Sequence, residues 1–335
     1  MKSFFKQSAI SMIILGGIAG SAHAMHANHH AQGGPFFAPT SHGFFVGLEA
    51  LRLRPENGDL DVSITFNTAG EEGTIFTQSI KPEYHWDWRL FAGVNLGDND
   101  DFTISWFRMR SSNSDSADFT NVADFDTRFD VLGDLLDSHV DFHVDNFYAV
   151  MGHTVYFNNP WSIRFAAGVE YAKVKSDLTV EGSRTNGDFE VTSSNSELKG
   201  WGPRGEFDIN YRLMDNFALF ANSSATLLSS KRKVSASDTG FDEGEDFSDE
   251  DDWSTRHVVV PKFGTRLGVS YTFGWGQAGA EGGSMVTIYG GWQVESYIHA
   301  IERLNFEGDV QDSTRTSNFG DQGLFLGVKF NSGWM

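Results

Sequence analysis

The sequence predicts an all-β fold: a transmembrane, antiparallel, up-and-down β-barrel of about ten strands, with eight or twelve as alternatives. Three observations predict it. Ten stretches of the 335-residue chain alternate apolar and polar residues. The links between them are short and long in turn, as in a chain threaded back and forth through an outer membrane. No segment beyond the first 24 residues has the ~20 largely apolar residues that a spanning helix requires. The clearest stretch is 201–213, where Trp201, Pro203, Gly205, Phe207, Ile209, Tyr211 and Leu213 share one face. Gly202, Arg204, Glu206, Asp208, Asn210 and Arg212 share the other. An aromatic stripe backed by four charges suits a wall between lipid and a wet lumen.

The elements follow in order. Lys2 and Lys6, the apolar run 10–19 and the motif Ala22-His23-Ala24 read as a cleaved signal peptide over 1–24, with Met25 starting the mature chain. Residues 25–42, with His26, His29, His30 and His42 among Gly and Pro, read as a flexible periplasmic arm. The barrel then occupies 43–335. Its first strand is 44–54, and the long segment 55–83 that follows contains β-like pieces at 62–66 and 74–80. The second strand, 84–96, carries Tyr84, Trp86, Trp88, Leu90, Ala92, Val94 and Leu96 outward, with Phe91 out of phase. A tight turn at 97–100 leads to a third strand, 101–110, and a polar loop, 111–138, in which 131–136 could form one helical turn. The fourth strand is about 139–157, and its faces are ambiguous because both turn apolar.

A turn at 158–160 precedes the fifth strand, 161–175, and a Ser/Asn/Gly-rich loop, 176–196. The sixth strand is the opening stretch, followed by a turn at 214–216 and a seventh strand, 217–229. The loop 230–254 begins basic at Lys231, Arg232 and Lys233 and ends acidic. Strands eight to ten are 256–273, 285–298 and 323–330, separated by a turn at 274–284 and a loop at 299–320. Short turns follow the even strands and long loops the odd ones. With both termini in the periplasm, every long loop then lies outside the cell. Phe157, Trp161, Phe217, Phe273 and Phe330 fall near the short-turn ends, and Tyr84, Trp86, Trp106, Tyr171, Trp201 and Trp292 near the long-loop ends. These are two interfacial girdles.

Several short runs resemble the Legionella-type major outer membrane protein family, and their order matches it over most of the mature chain. They are Gly200-Trp201-Gly202-Pro203-Arg204-Gly205, Phe45-Val46-Gly47-Leu48-Glu49, Tyr84-His85-Trp86-Asp87-Trp88-Arg89, the run 164–172 and the ending 323–330. The chain departs from the usual barrel ending in that Trp334 is penultimate. The resemblance implies a pore-forming, porin-like protein of the Gram-negative outer membrane that passes ions or small hydrophilic solutes.

The residues themselves bound the chemistry. No cysteine is present, which excludes disulfide scaffolds, thiolate metal sites and cysteine nucleophiles. Asp plus Glu number 45 against 25 Lys plus Arg, a field that opposes nucleic acid. The inward charges are the candidate pore lining: Glu49, Arg89, Arg164, Glu170, Arg204, Glu206, Asp208, Arg212, Lys262, Arg266 and Lys329. Either they set the field that permeating ions feel, or they pair and fill a lumen of this small size. The acidic run 238–252 lacks the ordered spacing of a calcium loop, and no cofactor or metal site is expected. Expected partners are outer-membrane lipid and lipopolysaccharide, with Lys231–Lys233 near lipid phosphates, and the barrel-assembly machinery. A further copy of the chain and a host-cell surface are also candidates. The chain is not expected to be an enzyme. A rim protease built on Asp137, His139, Asp141 and His143 is the weaker alternative, and a surface adhesin is another.

Overall fold

A computed structural model describes residue 35 and residues 42–66, 75–97, 99–118, 125–127, 135–157, 160–184, 186–242, 244–275, 284–304 and 314–333. The signal peptide, nearly all of the arm and Trp334 lie outside the described residues. The described strands are β1 (Gly43–Asn57), β2 (Asp61–Phe66), β3 (Ile75–Ser79), β4 (His85–Gly97), β5 (Asp100–Asp118), β6 (Phe125–Thr127) and β7 (Leu135–Tyr156). They continue as β8 (Trp161–Ser183), β9 (Phe189–Arg212), β10 (Phe217–Asp242), β11 (Glu245–Trp275), β12 (Ser284–Leu304) and β13 (Thr314–Gly333). Ten of them close into a barrel in the order β1-β13-β12-β11-β10-β9-β8-β7-β5-β4, with β4 back on β1. Every pairing is antiparallel, and the expected ten-strand count holds. The β-like pieces of the first long segment pair in a separate three-stranded sheet, β3-β2-β6.

The apolar outer band has the height of a bilayer. On β8, Ile163, Phe165, Val169 and Tyr171 point outward while Arg164, Gly168 and Glu170 point inward. Trp161 to Tyr171 is ten residue steps, about 34 Å of strand, and about 24 Å of height at a ~45° tilt. The wall does not stop there. β10 has 26 residues and β11 has 31, where a crossing needs about 9–11. Three expected loops are therefore corrected. Much of 111–138, most of 176–196 and nearly all of 230–254 are strand. The last loop, 299–320, is likewise strand at both ends, and Leu135 and Leu136 of the suggested helical turn belong to β7.

Above the bilayer the wall reverses its polarity. Beyond Tyr171, the inward residues are Ala172, Val174, Leu178 and Val180, and the outward ones are Lys173, Lys175, Asp177 and Thr179. The same reversal resolves the ambiguous fourth strand. Leu136, Val140, Phe142 and Val144 face in, while Asp137, His139, Asp141 and His143 face out. The extension is a water-exposed sleeve with its own apolar core. Leu51, Leu53, Phe107, Leu198, Leu228, Val260 and Phe319 belong to that core. Leu60 and Ile80, joined by a hydrogen bond from the Ile80 amide to the Leu60 carbonyl (3.1 Å), add to it from the first long segment.

At the periplasmic end the turns are tight. Gly97 and Asn99 both take positive φ (82° and 70°). A Cβ on Gly97 would also meet the His42 ring at 2.7 Å, so glycine is needed there for conformation and for space.

Candidate functional site: the charged lumen

The inward residues of the membrane band form one ionic network. Arg164 binds Asp101 through Nε (2.7 Å) and Nη2 (2.6 Å), and through Nη1 reaches Asp208 (2.8 Å) and Glu206 (3.4 Å). Glu206 accepts from Arg204 Nε at 2.7 Å, and Arg204 Nη1 reaches Glu170 at 2.5 Å. Glu170 also accepts from Lys262 Nζ (2.8 Å), which lies 2.9 Å from Glu295. Glu295 accepts from Arg89 (3.1 Å), and Arg89 donates to Glu49 (3.0 Å). Arg266 lies 2.9 Å from Glu49. The chain of pairs thus runs from β5 through β8, β9, β11, β12 and β4 to β1.

Neutral side chains complete the carboxylates. Asn146 and Thr226 donate to Glu170, and Asn222 donates to Asp208. Tyr289 donates to Glu49 at 2.8 Å. Tyr289 reaches that carboxylate past Gly327, where a Cβ would sit 2.3 Å from its ring. Aromatic faces cover the cations: Arg204 stands 4.1 Å over Tyr148, Arg266 4.1 Å over Phe325 and Lys329 4.2 Å over Phe45.

Ten of the eleven residues expected to face the lumen are buried inside it. Lys329 sits against Phe45, one layer nearer the periplasm than the Glu49 cluster on its neighbouring strand. Arg212 is the exception. It is half-buried at the periplasmic rim of β9, where its amide donates to the Pro160 carbonyl (3.0 Å). Sequence reasoning missed Asp101, Glu295 and Asp321, all buried. Each sits on the inward phase of its strand, so extending the alternation already in use would have found them. Their omission made the lumen look basic. With them the named lumen charges are seven buried carboxylates and six buried cations among the described residues, and Asp87, buried on the inward phase of β4 two residues above Arg89, adds an eighth carboxylate.

Two cavities between these groups, among the described residues, are small. One cavity of about 20 Å³ lies between Arg89, Asn146, Tyr148, Arg204, Lys262 and Glu295. Another of about 30 Å³ touches Glu49, Phe91, Thr103, Arg164 and Lys329. Each has room for a water molecule or two, not for a solute.

Two features close the outer end. The sleeve core forms an apolar layer directly above the network, with Phe107, Tyr297 and Phe319 fully buried. Above it, β12 and β13 leave the wall. The β11–β12 ladder has its outermost pair at Lys262↔Tyr297, and the β1–β13 ladder at Asn57↔Phe319. The β12 register shifts between Tyr297 and Ile301, and His299 takes a positive φ of 54°. Residues 298–304 and 314–318 then lie across the mouth as a lid. Arg303, wholly buried, latches it. It donates to the Ser194 carbonyl (3.1 Å) and the Ser176 hydroxyl (2.7 Å), and its Nε is 3.4 Å from Asp59. Glu302 meets Arg232 (2.9 Å) and Arg256 (3.1 Å), and its amide donates to Ser196 (3.1 Å). Burial works against the Glu302 charge, but bonds from Thr314 and Arg232 and the charge of Arg256 hold its carboxyl below the usual carboxylate range.

The alternative protease residues lie elsewhere. His139 is 2.8 Å from Ser114 Oγ and 3.3 Å from Asp141, but with Asp137 and His143 it stands on the outer wall, facing away from the lumen.

A family model described as Legionella pneumophila major outer membrane protein precursor matches residues 37–332. No curated protein matches the sequence. Among solved structures the chain is similar to the outer membrane protease OmpT from Escherichia coli, at 10% identity and a TM-score of 0.43, covering 87% of this chain and 97% of that one. It is similar to the Pseudomonas putida toluene transporter TodX at 10% identity and a TM-score of 0.38, covering 89% and 90%. OmpT of Vibrio cholerae follows at 11% identity and a TM-score of 0.17, covering 87% and 97%.

Proposed function

The chain belongs to the Legionella pneumophila major outer membrane protein family, and on that premise we propose that it is a narrow, lidded pore for ions and small hydrophilic solutes. It resides in the outer membrane. The observation that carries the proposal is the ionic network itself. Charged groups from seven strands line the membrane-spanning lumen, where they set the field that an ion crossing would feel. The linked network, from which Asp87 stands apart on the Arg110 amide, is nearly balanced in charge, so the proposal includes weak ion selectivity rather than the cation preference that the whole-chain charge suggests.

The filled lumen separates this reading from a wide, permanently open porin. Passage requires the lid to leave the mouth and the apolar layer to become wet, and hydrophobic constrictions of that kind gate by dewetting. Recordings from the refolded full chain in planar bilayers test it. Brief, small conductance steps are expected, becoming longer when the lid latch is removed. A barrel that carries no current with or without the lid would refute the pore.

A second reading, surface attachment, has one observation in its favour. Residues 245–261 of β11 pair only with β10 among the described strands, so this hairpin stands beyond its β12 neighbour. Trimming its tip would then abolish cell attachment while conductance is retained. The proposed role involves no catalysis, and the outward placement of Asp137, His139, Asp141 and His143 on the sleeve supports that choice over the protease.

A further inference from the structure

Outward-facing residues at the extracellular edge of the membrane band fall into rows that follow the register. One row is aromatic: Trp106, Phe147, Tyr171 and Trp201 are successive cross-strand neighbours on β5, β7, β8 and β9. The Tyr171 and Trp201 rings are 4.9 Å apart. Aromatic belts of this kind mark the headgroup level of a membrane. Two residues further up each strand, about 7 Å along it, the next row reads Arg108, Asp145, Lys173, Lys199, Lys231 and His257. The row above that reads Arg110, His143, Lys175, Glu197 and Lys233.

The two rows hold seven Lys and Arg side chains against two carboxylates, in a chain whose net charge is −20. At their centre, Lys173, Lys199 and Lys231 stand side by side on three adjacent strands. Like charges placed directly opposite on a sheet destabilise it. Glu197 answers two of the three, meeting Lys173 at 3.1 Å and Lys199 more closely. Lys231 is exposed between Lys199 and His257. The periplasmic girdle is different. The charged pair facing out there is Asp100 with His153 (2.7 Å), and among the described residues no Lys or Arg faces out at that level.

A cationic band at one membrane interface, and none among the described residues at the other, fits a bilayer whose outer leaflet carries the denser anionic phosphate. We propose that Lys173, Lys199 and Lys231, standing directly above the Tyr171–Trp201 pair, form a binding site for the phosphates of the outer-leaflet glycolipid. The aromatic rings lie against its sugar–acyl boundary, and the ammonium groups take the phosphates that relieve their mutual repulsion. Arg108, Arg110, Lys175 and Lys233 extend the positive field around the wall. The site stands apart from the pore reading, since none of these side chains faces the lumen.

Native mass spectrometry of the folded full chain in uncharged detergent, titrated with bis-phosphorylated lipid A, tests the site. A basic residue near such a surface contributes about 1 kcal/mol, so Lys173→Gln, Lys199→Gln and Lys231→Gln together are expected to weaken binding on the order of a hundredfold. The corresponding triple Arg variant should keep binding, and wild type should lose it when the lipid is dephosphorylated. Each variant is first checked for the heat-modifiable gel shift of a folded barrel. Binding that survives the triple Gln substitution would overturn the site. So would equal binding of dephosphorylated lipid, which would leave only acyl packing, or full displacement by millimolar inorganic phosphate, which would make it a free-anion site. No current is measured, so failure here and failure of the pore are distinct results.

Discussion

Arg303→Ala should unlatch the lid. The side chain is wholly buried and spends its guanidinium on three partners: the Ser194 carbonyl, the Ser176 hydroxyl and the Asp59 carboxylate. Removing one member of a buried ion pair costs about 3–5 kcal/mol, because the other charge stays behind unanswered. Asp59 keeps a second cation, Arg315, at 3.6 Å, but that side chain is 59% exposed and therefore screened. The low end of the range, about 3 kcal/mol, is the reasonable expectation. At about 1.4 kcal/mol per tenfold change, lid opening becomes roughly a hundred times more frequent. Amide hydrogen exchange reads local opening directly. The amides of 298–304 should exchange about two orders of magnitude faster, while those of β8 and β9 in the membrane band are unchanged. In bilayers the open fraction should rise in parallel. Arg303→Ala and Asp59→Asn should also be non-additive, since they remove the same contact. Exchange at 298–304 within threefold of wild type, in a protein that still shows the folded-barrel gel shift, would refute the latch.

Other substitutions probe the remaining layers. Lys262→Met removes the ammonium shared by Glu170 and Glu295 and should destabilise the barrel by about 3–5 kcal/mol, read as a lower temperature for loss of the folded gel band; adding Glu295→Gln should recover part of it. Phe142→Ala empties a buried site beside Phe319, whose ring is 5.4 Å away, and should cost about 3–5 kcal/mol, seen as faster proteolysis of the sleeve with the membrane band still protected. The lid should also loosen in acid. The carboxyl of Glu302 is held low in the folded protein, so its ties to Arg232 and Arg256 are complete above its unfolded pKa and are lost as pH falls through the folded value. Protection of the amides of 298–304, corrected for the intrinsic pH dependence of exchange, should therefore fall as pH drops below the ordinary glutamate range, and Glu302→Gln should remove that dependence; wild-type protection that stays constant through that range for as long as the barrel remains folded would contradict it.

The barrel was legible because its signal is local. Alternation over 201–213 already separates Phe207 and Ile209 from Glu206 and Asp208, and the structure keeps that separation. Most of the lumen residues followed from the same rule. The sleeve was not legible. On β8 the odd-numbered residues face outward along the strand, yet the apolar residues switch from odd to even after Tyr171. Read as a sequence, that switch looks like the end of a strand and the start of a loop. It is instead a change of surroundings, from lipid outside the wall to water outside it. The lid was hidden for another reason. His299 carries no turn signal, and the residue adopts positive φ where β12 has parted from β11.

By itself, then, the sequence determined the period of each strand, a crossing number of about ten with eight or twelve as alternatives, the side of the membrane on which the long connections lie, and most of the membrane-band residues that face in. These depend on the two-residue repeat of a strand and on turn chemistry, both local. Only the tertiary structure decided what the inward charges do. Glu49 and Arg89 meet because their strands are neighbours in register, but Glu170 meets Lys262 across the lumen, from β8 to β11. Closure of the ring and the stagger of its strands bring such pairs together, and no single strand carries that information. They turn a row of candidate pore charges into a paired network, closed above by an apolar layer and a latched lid.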